Sequence, residues 1–297
     1  MVNVTSVVVF SPAKLNLLLA ITGRRADGFH DLVSVVAPVK FGDTLRAEVT
    51  SDGKFTLVCD DPAVPLDETN LILRAAKLFS DAEGGPSGVR FVLEKRIPMG
   101  AGLGGGSSNA VAALQALNQL VPKPLGRETL ADLAIKLGSD CALFLHGAPV
   151  VMRGRGERIE PLAAQACARL SGRRVLVFKP SFGIATAWAY RRMAAGAPES
   201  YQPSVEAEAH LSRWLTSAEP VEKLLFNNME RPAFAKFLAL PTLLERLRGE
   251  FGLAVAMSGS GSACYALLRE DTPLHAVKAC IHQAWGEHTF IVDTEIG

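Results

Sequence analysis

Residues 1–62 are built from short extended runs. Residues 6–10, 15–21, 32–39, 45–49 and 55–59 are enriched in β-branched side chains and separated by Gly or Asp, which predicts five strands. The period then changes. Residues 70–80 place Leu71, Ala75 and Leu78 on one face of a helix. Val89-Arg-Phe-Val-Leu-Glu-Lys alternates like a strand, and from Ala110 to Leu120 the residues Val111, Leu114, Leu117 and Leu120 recur at helical spacing. Residues 127–137 predict another helix, stopped by Gly138. From about 149 to 180 the pattern returns to strands, including Arg174-Val-Leu-Val-Phe-Lys. Helices are expected at 185–195, 221–240 and 241–249, and strands at 254–257 and 263–268. The polar stretch 196–204, with Pro198 and Pro203, is expected to be a mobile loop.

Composition narrows the class. A chain of 297 residues with 48% apolar side chains is comfortable for two domains with real cores. A net charge of +1 gives no general attraction to nucleic acid or to acidic membranes, so neither is expected as a partner. Five cysteines form no CxxC pair and leave one over in any full pairing, which fits a reduced, cytoplasmic setting. No apolar run approaches the ~18 residues of a membrane span. Val7-Val8-Val9-Phe10 is too short for a signal core, and Lys14 soon interrupts the next apolar segment. A soluble protein is expected.

The stretch Pro98-Met99-Gly100-Ala101-Gly102-Leu103-Gly104-Gly105-Gly106-Ser107-Ser108-Asn109 sits between the expected strand and helix, and five of the nine residues from Gly100 to Ser108 are glycine. Such a loop aims backbone N–H groups and the positive helix end at one point, a cradle for phosphate. Ser107 and Ser108 offer hydroxyls for capping, phosphate or a metal ion. No Lys precedes them, so this is not a Walker A loop. A dinucleotide reading needs an acidic residue about 20 positions on. Residues 120–125 read Leu-Val-Pro-Lys-Pro-Leu, and that partner is missing.

Four other constellations carry chemistry. Lys14 and Asn16 stand at i and i+2 in an apolar strand and so share a face. A buried ammonium needs a carboxylate or phosphate, unless Lys14 snorkels from a strand end. In Arg24-Arg25-Ala26-Asp27-Gly28-Phe29-His30-Asp31 an aromatic and a His follow a turn and can hold a planar base, although taken alone an ordinary loop with a surface His explains them better. Asp140, in Gly138-Ser139-Asp140-Cys141, enters an apolar run and needs a partner, for which Lys14 is the candidate. Met257-Ser258-Gly259-Ser260-Gly261-Ser262 is either a tight turn or a second phosphate wall. No His/Cys/carboxylate cluster argues for a protein-held metal.

Pro-x-Lys-x-Asn, Gly-Leu-Gly-Gly-Gly-Ser-Ser-Asn, Gly-Ser-Asp and the late Ser-Gly-Ser-Gly loop, in this order from Ser11 to about Leu268, resemble the GHMP kinase superfamily. The Arg25–Leu32 block resembles the branch acting on a cytidine-diphosphate-linked methylerythritol; mevalonate, homoserine and galactose kinases differ there. The resemblance implies an α+β, two-lobed fold. A ribosomal-S5-like nucleotide domain is expected over 1–160 and a ferredoxin-like substrate domain over 161–297, with ATP and acceptor in the cleft between them. It implies transfer of the ATP γ-phosphoryl group to the acceptor's 2-hydroxyl in non-mevalonate isoprenoid synthesis, with Mg²⁺ accompanying ATP. Asp140 would take the proton, with Lys14 orienting it and steadying the phosphoryl charge. Pro98 to Ser108 would wrap the phosphates, and Asn70 and Lys95 would line the adenine pocket. Asn16, Thr186, Gly259 and Gly261 would face the acceptor, with Phe29, His30 and Tyr190 around its cytosine. A monomer or weak homodimer is expected.

The chain departs from the family's pattern at several positions. Phe29 stands for Tyr, Tyr190 for Phe, Ser139 for Ala, and Ala142-Leu143 for a pair containing Pro. None removes a catalytic group; they bear on selectivity. Another small-molecule kinase of the superfamily and a non-catalytic nucleotide-binding relative are the competing readings.

Overall fold

The computed structural model describes residues 5–83 and 85–297. Contacts divide the chain into two compact units. One comprises the residues up to Ala13, Phe41–Pro98 and Gly104–Gly147; the other comprises Lys14–Lys40, Met99–Leu103 and Ala148–Gly297. The class is α+β, as expected.

The five expected strands of the first sixty residues are three, Ser6–Arg24, His30–Val49 and Phe55–Cys59. Gly42 and Asp43, read from sequence as punctuation, lie inside the second. A Cβ on Gly42 would collide with the carbonyl oxygen of Ser11, so this glycine permits close approach of neighbouring backbone rather than a turn.

In the first unit, Val89–Glu94 pairs antiparallel with the end of His30–Val49, Thr44 opposite Glu94, and parallel with Phe55–Cys59. The helices Leu71–Glu83, Gly105–Leu120 and Arg127–Leu137 belong to the same unit. The first of these buries Ile72, Ala75, Ala76 and Phe79, a face rotated from the predicted Leu71, Ala75 and Leu78. Arg127–Leu137 has the predicted bounds. Gly138 follows it in extended backbone (φ 170) rather than the left-handed stop the sequence suggests.

In the second unit, the start of His30–Val49 pairs antiparallel with Val150–Gly154, which pairs with Arg158–Pro161. A four-stranded antiparallel sheet runs in the order Phe290–Glu295, Arg174–Lys179, Cys264–Leu267, Ala254–Met257. Helices Ala239–Phe251 and Leu274–Trp285 pack on each other in this unit. Pro241 does not start a separate helix; it sits in the first turn, where a missing N–H costs nothing. The expected helix 221–240 is broken. It is a 3₁₀ turn, Val221–Lys223, a two-residue strand, Phe226–Asn227, and a short helix, Glu230–Lys236. Asn227 and Asn228 lie in the break, where their side chains bond backbone remote in sequence, Asn227 to Met257 O and Gly259 O and Asn228 to Ile21 O and Ser200 O, while Asn227 Oδ1 accepts the Met229 N–H. Helices Ala164–Leu170 and Ser204–Thr216 and the last helix and strand escaped the sequence reading. The segment expected to be mobile is tied down. Ser200 Oγ donates to Met193 O (2.5 Å), Asn228 Nδ2 to Ser200 O (3.0 Å) and the Gln202 N–H to Ile21 O (3.0 Å). Among the described residues no helix is long and apolar enough to cross a membrane.

Candidate active site

In the first unit, the glycine-loop helix starts at Gly105, five residues before the periodicity predicts, with Gly104 (φ 72) as its N-cap and no side-chain cap. Gly105, Gly106, Ser107 and Ser108 therefore form the first turn; the Ser108 N–H donates to Gly104 O (2.9 Å), and the N–H groups of Gly105, Gly106 and Ser107 ahead of it have no intrahelical acceptor. Helix dipole and free donors converge there. Neither serine is a cap. Ser108 is buried and its Oγ accepts from Ser11 Oγ (2.8 Å). Ser107, half-buried, hydrogen-bonds the thiol of Cys141.

Beneath this turn lies a group the sequence reading missed. Asp43 is fully buried and its carboxylate accepts from Lys95 Nζ (2.5 Å), Asn109 Nδ2 (2.8 Å) and the Arg96 and Ile97 N–H groups (2.7 Å each). Asn109 Nδ2 also donates to Ser11 Oγ (2.9 Å). Lys95 is thus committed to an ion pair. Asn70 caps the helix Leu71–Glu83, with Oδ1 accepting the Ile72 N–H (2.9 Å) and Nδ2 donating to Pro65 O (2.7 Å). Asp140 occupies the turn after Gly138, half-buried. Burial first, and the Asp140 charge with it, push the neighbouring Cys141 thiol up to about 11, against the Ser107 bond and the charge of Arg74.

In the second unit, residues 99–103 of the glycine loop run against the late small-residue loop. The Ala263 N–H donates to Ala101 O (3.0 Å), Ser258 Oγ to Gly102 O (3.1 Å) and the Lys14 N–H to Leu103 O (3.0 Å). Gly102 has φ 74, and a Cβ there would collide with the carbonyl oxygen of Ser258, so only glycine fits. Lys14 and Asn16 are both buried and share a face as the alternation requires: Lys14 Nζ donates to Asn16 Oδ1 (2.5 Å). Asn16 Nδ2 donates to Ser34 Oγ (3.0 Å), its N–H to Ser258 Oγ (3.3 Å), and Tyr265 Oη donates to its carbonyl (2.9 Å). Gly259 lies beside this pair: a Cβ on it would stand 3.2 Å from Lys14 Nζ. Thr186 Oγ1 and Ser260 Oγ are 3.0 Å apart.

His30 is buried with its ring centre 4.8 Å from that of Tyr190 and 5.9 Å from that of Tyr201. Burial, then the charge of Arg24, hold its imidazole below the ordinary histidine value, favouring the neutral form. Nε2 of His30 and Oη of Tyr201 are buried without hydrogen-bond partners among the described residues. Phe29 is 49% exposed, with the Arg155 guanidinium 4.9 Å from its ring centre. The structure thus joins Lys14 with Asn16 and Gly259, and His30 with Tyr190. Asp140 belongs to the first unit, and Lys14 to the second.

Comparison with known proteins gives this geometry a family. Residues 70–148 match the GHMP kinases N terminal domain and residues 209–287 the GHMP kinases C terminal. A Thermus thermophilus protein named 4-diphosphocytidyl-2-C-methyl-D-erythritol kinase is 40% identical over 277 residues, covering 93% of this chain and 92% of its own length. The chain belongs to this kinase family within the GHMP kinases. A protein of the same name from Methylacidiphilum infernorum is 37% identical, over 89% of this chain and 87% of its own. A crystal structure of 4-(cytidine 5'-diphospho)-2C-methyl-D-erythritol kinase matches with a TM-score of 0.76 at 38% identity, covering 98% of this chain and all (100%) of that one. Homoserine kinase from Cytophaga hutchinsonii, at TM-score 0.77 but 16% identity, covers 100% of this chain and 96% of its own and shares the fold.

For a GHMP kinase, ATP use and a small-molecule acceptor follow from the family. Besides Asp43, sequence reasoning missed Tyr201, Arg155 and Asn227. Tyr201 sits in a stretch read only as loop, Arg155 in the turn between Val150–Gly154 and Arg158–Pro161 within a region read as strands, and Asn227 in a segment read as helix. Nothing in local composition marks them.

Proposed function

We propose that this chain transfers the γ-phosphoryl group of ATP to the 2-hydroxyl of 4-diphosphocytidyl-2-C-methyl-D-erythritol, giving the 2-phosphate and ADP in the non-mevalonate isoprenoid route. The observation that carries this reading is near-full-length similarity, 35–40% identical, to proteins bearing that kinase's name. Asp140 accepts the proton of the 2-hydroxyl as its oxygen bonds to the γ-phosphorus and the bond to ADP breaks. Lys14 steadies the charge on the transferring group. Pro98, Met99, Gly100, Ala101, Gly102, Leu103, Gly104, Gly105, Gly106, Ser107 and Ser108 hold the phosphates. Asn70 and Lys95 border the adenine side through the backbone their side chains organise.

On the acceptor side, Asn16, Thr186, Gly259 and Gly261 face the methylerythritol, and Phe29, His30 and Tyr190 hold the cytosine. A neutral imidazole supports this, since it offers one donor and one acceptor to a pyrimidine edge. Mg²⁺ offsets charge on the phosphates when bound. Among the described residues no group of three or more His, Cys, Asp or Glu could hold a metal ion. The nucleotide half is assigned to 1–160 and the acceptor half to 161–297, in a protein acting as monomer or weak homodimer in the cytoplasm.

A panel assay tests the reading: purified protein, ATP and Mg²⁺ with diphosphocytidyl methylerythritol, mevalonate, homoserine or galactose. Turnover is expected with the first alone. Preference for another alcohol, or no turnover with any, overturns it.

A further inference from the structure

The loop that places Gly259 beside Lys14 is held from behind. Asn227 is buried, and both hydrogens of its carboxamide are used on this loop: Nδ2 donates to Met257 O (2.8 Å) and to Gly259 O (2.9 Å). Its Oδ1 accepts the Met229 N–H (3.0 Å), which fixes the amide's orientation. Three residues on, Glu230 Oε1 accepts the Met257 N–H (2.7 Å). One short segment, 227–230, thus grips the backbone on both sides of Ser258. Asn227 is in turn anchored on the strand that carries Lys14 and Asn16, with Phe226 opposite Leu18 and Asn227 opposite Leu19 in parallel register. The route from Asn227 to the ammonium is short. Gly259 O bonds the carboxamide, and the Gly259 Cα lies so close to the Lys14–Asn16 pair that an added Cβ would stand 3.2 Å from Nζ and 3.3 Å from Oδ1.

We infer that Asn227 is a positioning residue for Lys14: it fixes the loop wall that confines the ammonium and its Asn16 partner. This rests on the proposed part of Lys14 in phosphoryl transfer. Asn227 touches neither substrate in this scheme; it acts through the wall. Phosphoryl transfer draws on positioning and charge rather than covalent help, and a displacement of about 1 Å at a catalytic group can cost about 100-fold in rate. Without the carboxamide, two loop carbonyls lose their donors and the wall is free to move away from Lys14.

The test is a double-mutant cycle on the full chain. Asn227→Asp keeps the shape and the acceptor for Met229 but loses both donors; Asn227→Ala replaces it should the Asp variant fail to fold, as judged by circular dichroism and thermal melting. Asn227→Asp is expected to lower kcat by roughly 10–100-fold with KM for ATP within about twofold of wild type. Lys14→Ala lowers kcat by itself, and adding Asn227→Asp to it is expected to cost nothing more, because nothing remains to be positioned. A kcat of Asn227→Asp within about twofold of wild type overturns the inference, as does a full second loss in the Lys14→Ala background. If Lys14→Ala retains wild-type kcat, the role given to Lys14 fails first, a result distinct from either of these.

Discussion

Removing the Asp43 carboxylate should be among the most damaging single changes in the first unit. The group is 0% exposed and its partner Lys95 has a side chain only 6% exposed, so neither charge has water to fall back on. Asp43→Ala leaves a buried ammonium without a counter-charge, which costs about 3–5 kcal/mol. The Arg96 and Ile97 N–H groups lose their acceptor as well, at roughly 1–3 kcal/mol for each group that stays buried and unpaired. Asn109 is the least affected, because Ser11 Oγ remains as its second acceptor. These terms overlap. A loss of at least about 4 kcal/mol is expected for Asp43→Ala, against a total stability of order 5–15 kcal/mol. Asp43→Asn keeps one oxygen for the two backbone donors and loses mainly the ion pair. Its cost should be smaller, because the two backbone donors keep an acceptor, and a Lys95→Met change in that background should return part of it. Equilibrium urea denaturation with linear extrapolation reads all three variants. A loss below about 2 kcal/mol for Asp43→Ala, or equal losses for Ala and Asn, would refute the assignment of Asp43 as the hub beneath the glycine turn.

Asp140→Asn is expected to abolish phosphoryl transfer while ATP still binds, measured by turnover and by calorimetric titration with ATP; full activity would remove Asp140 as the base. His30→Ala should raise KM for the cytidine substrate with little change for ATP, and equal loss of both affinities would refute the cytosine role. His30 also sets a pH dependence. Its folded value lies below its unfolded value of about 6.5, so the unfolded chain takes up the proton first. Stability should therefore fall as pH drops below about 6.5 and stop falling once pH is under the folded value. A His30→Gln variant should lack this component in denaturation curves taken across that range, and an identical acid profile in both proteins would contradict the shift.

Glycine density between a strand and a helix marks the helix N-terminus and the unobstructed backbone before it from sequence, because unobstructed backbone is a property of residue type. Lys14 and Asn16 were legible for a similar reason. Strand alternation fixes their shared face, and the short Nζ–Oδ1 bond is its consequence. Asp43 and Asn227 were not legible, although one ties the glycine-loop helix to Lys95 and the other holds the loop beside Lys14. Asp after Gly42 carries the local signature of a turn, and Asn227-Asn228 sits in a stretch of helical period. Their roles are set by partners remote in sequence. Asn109 and Lys95 lie 66 and 52 positions from Asp43, and Met257 and Gly259 lie 30 and 32 from Asn227. A buried polar side chain is stable only where its partners already wait, so its meaning belongs to the fold and not to its neighbours in the chain. The strand count failed on the same ground. Gly42 has the composition of a break, yet it lies inside the continuous strand His30–Val49, with the carbonyl of Ser11 in the space where a side chain would go.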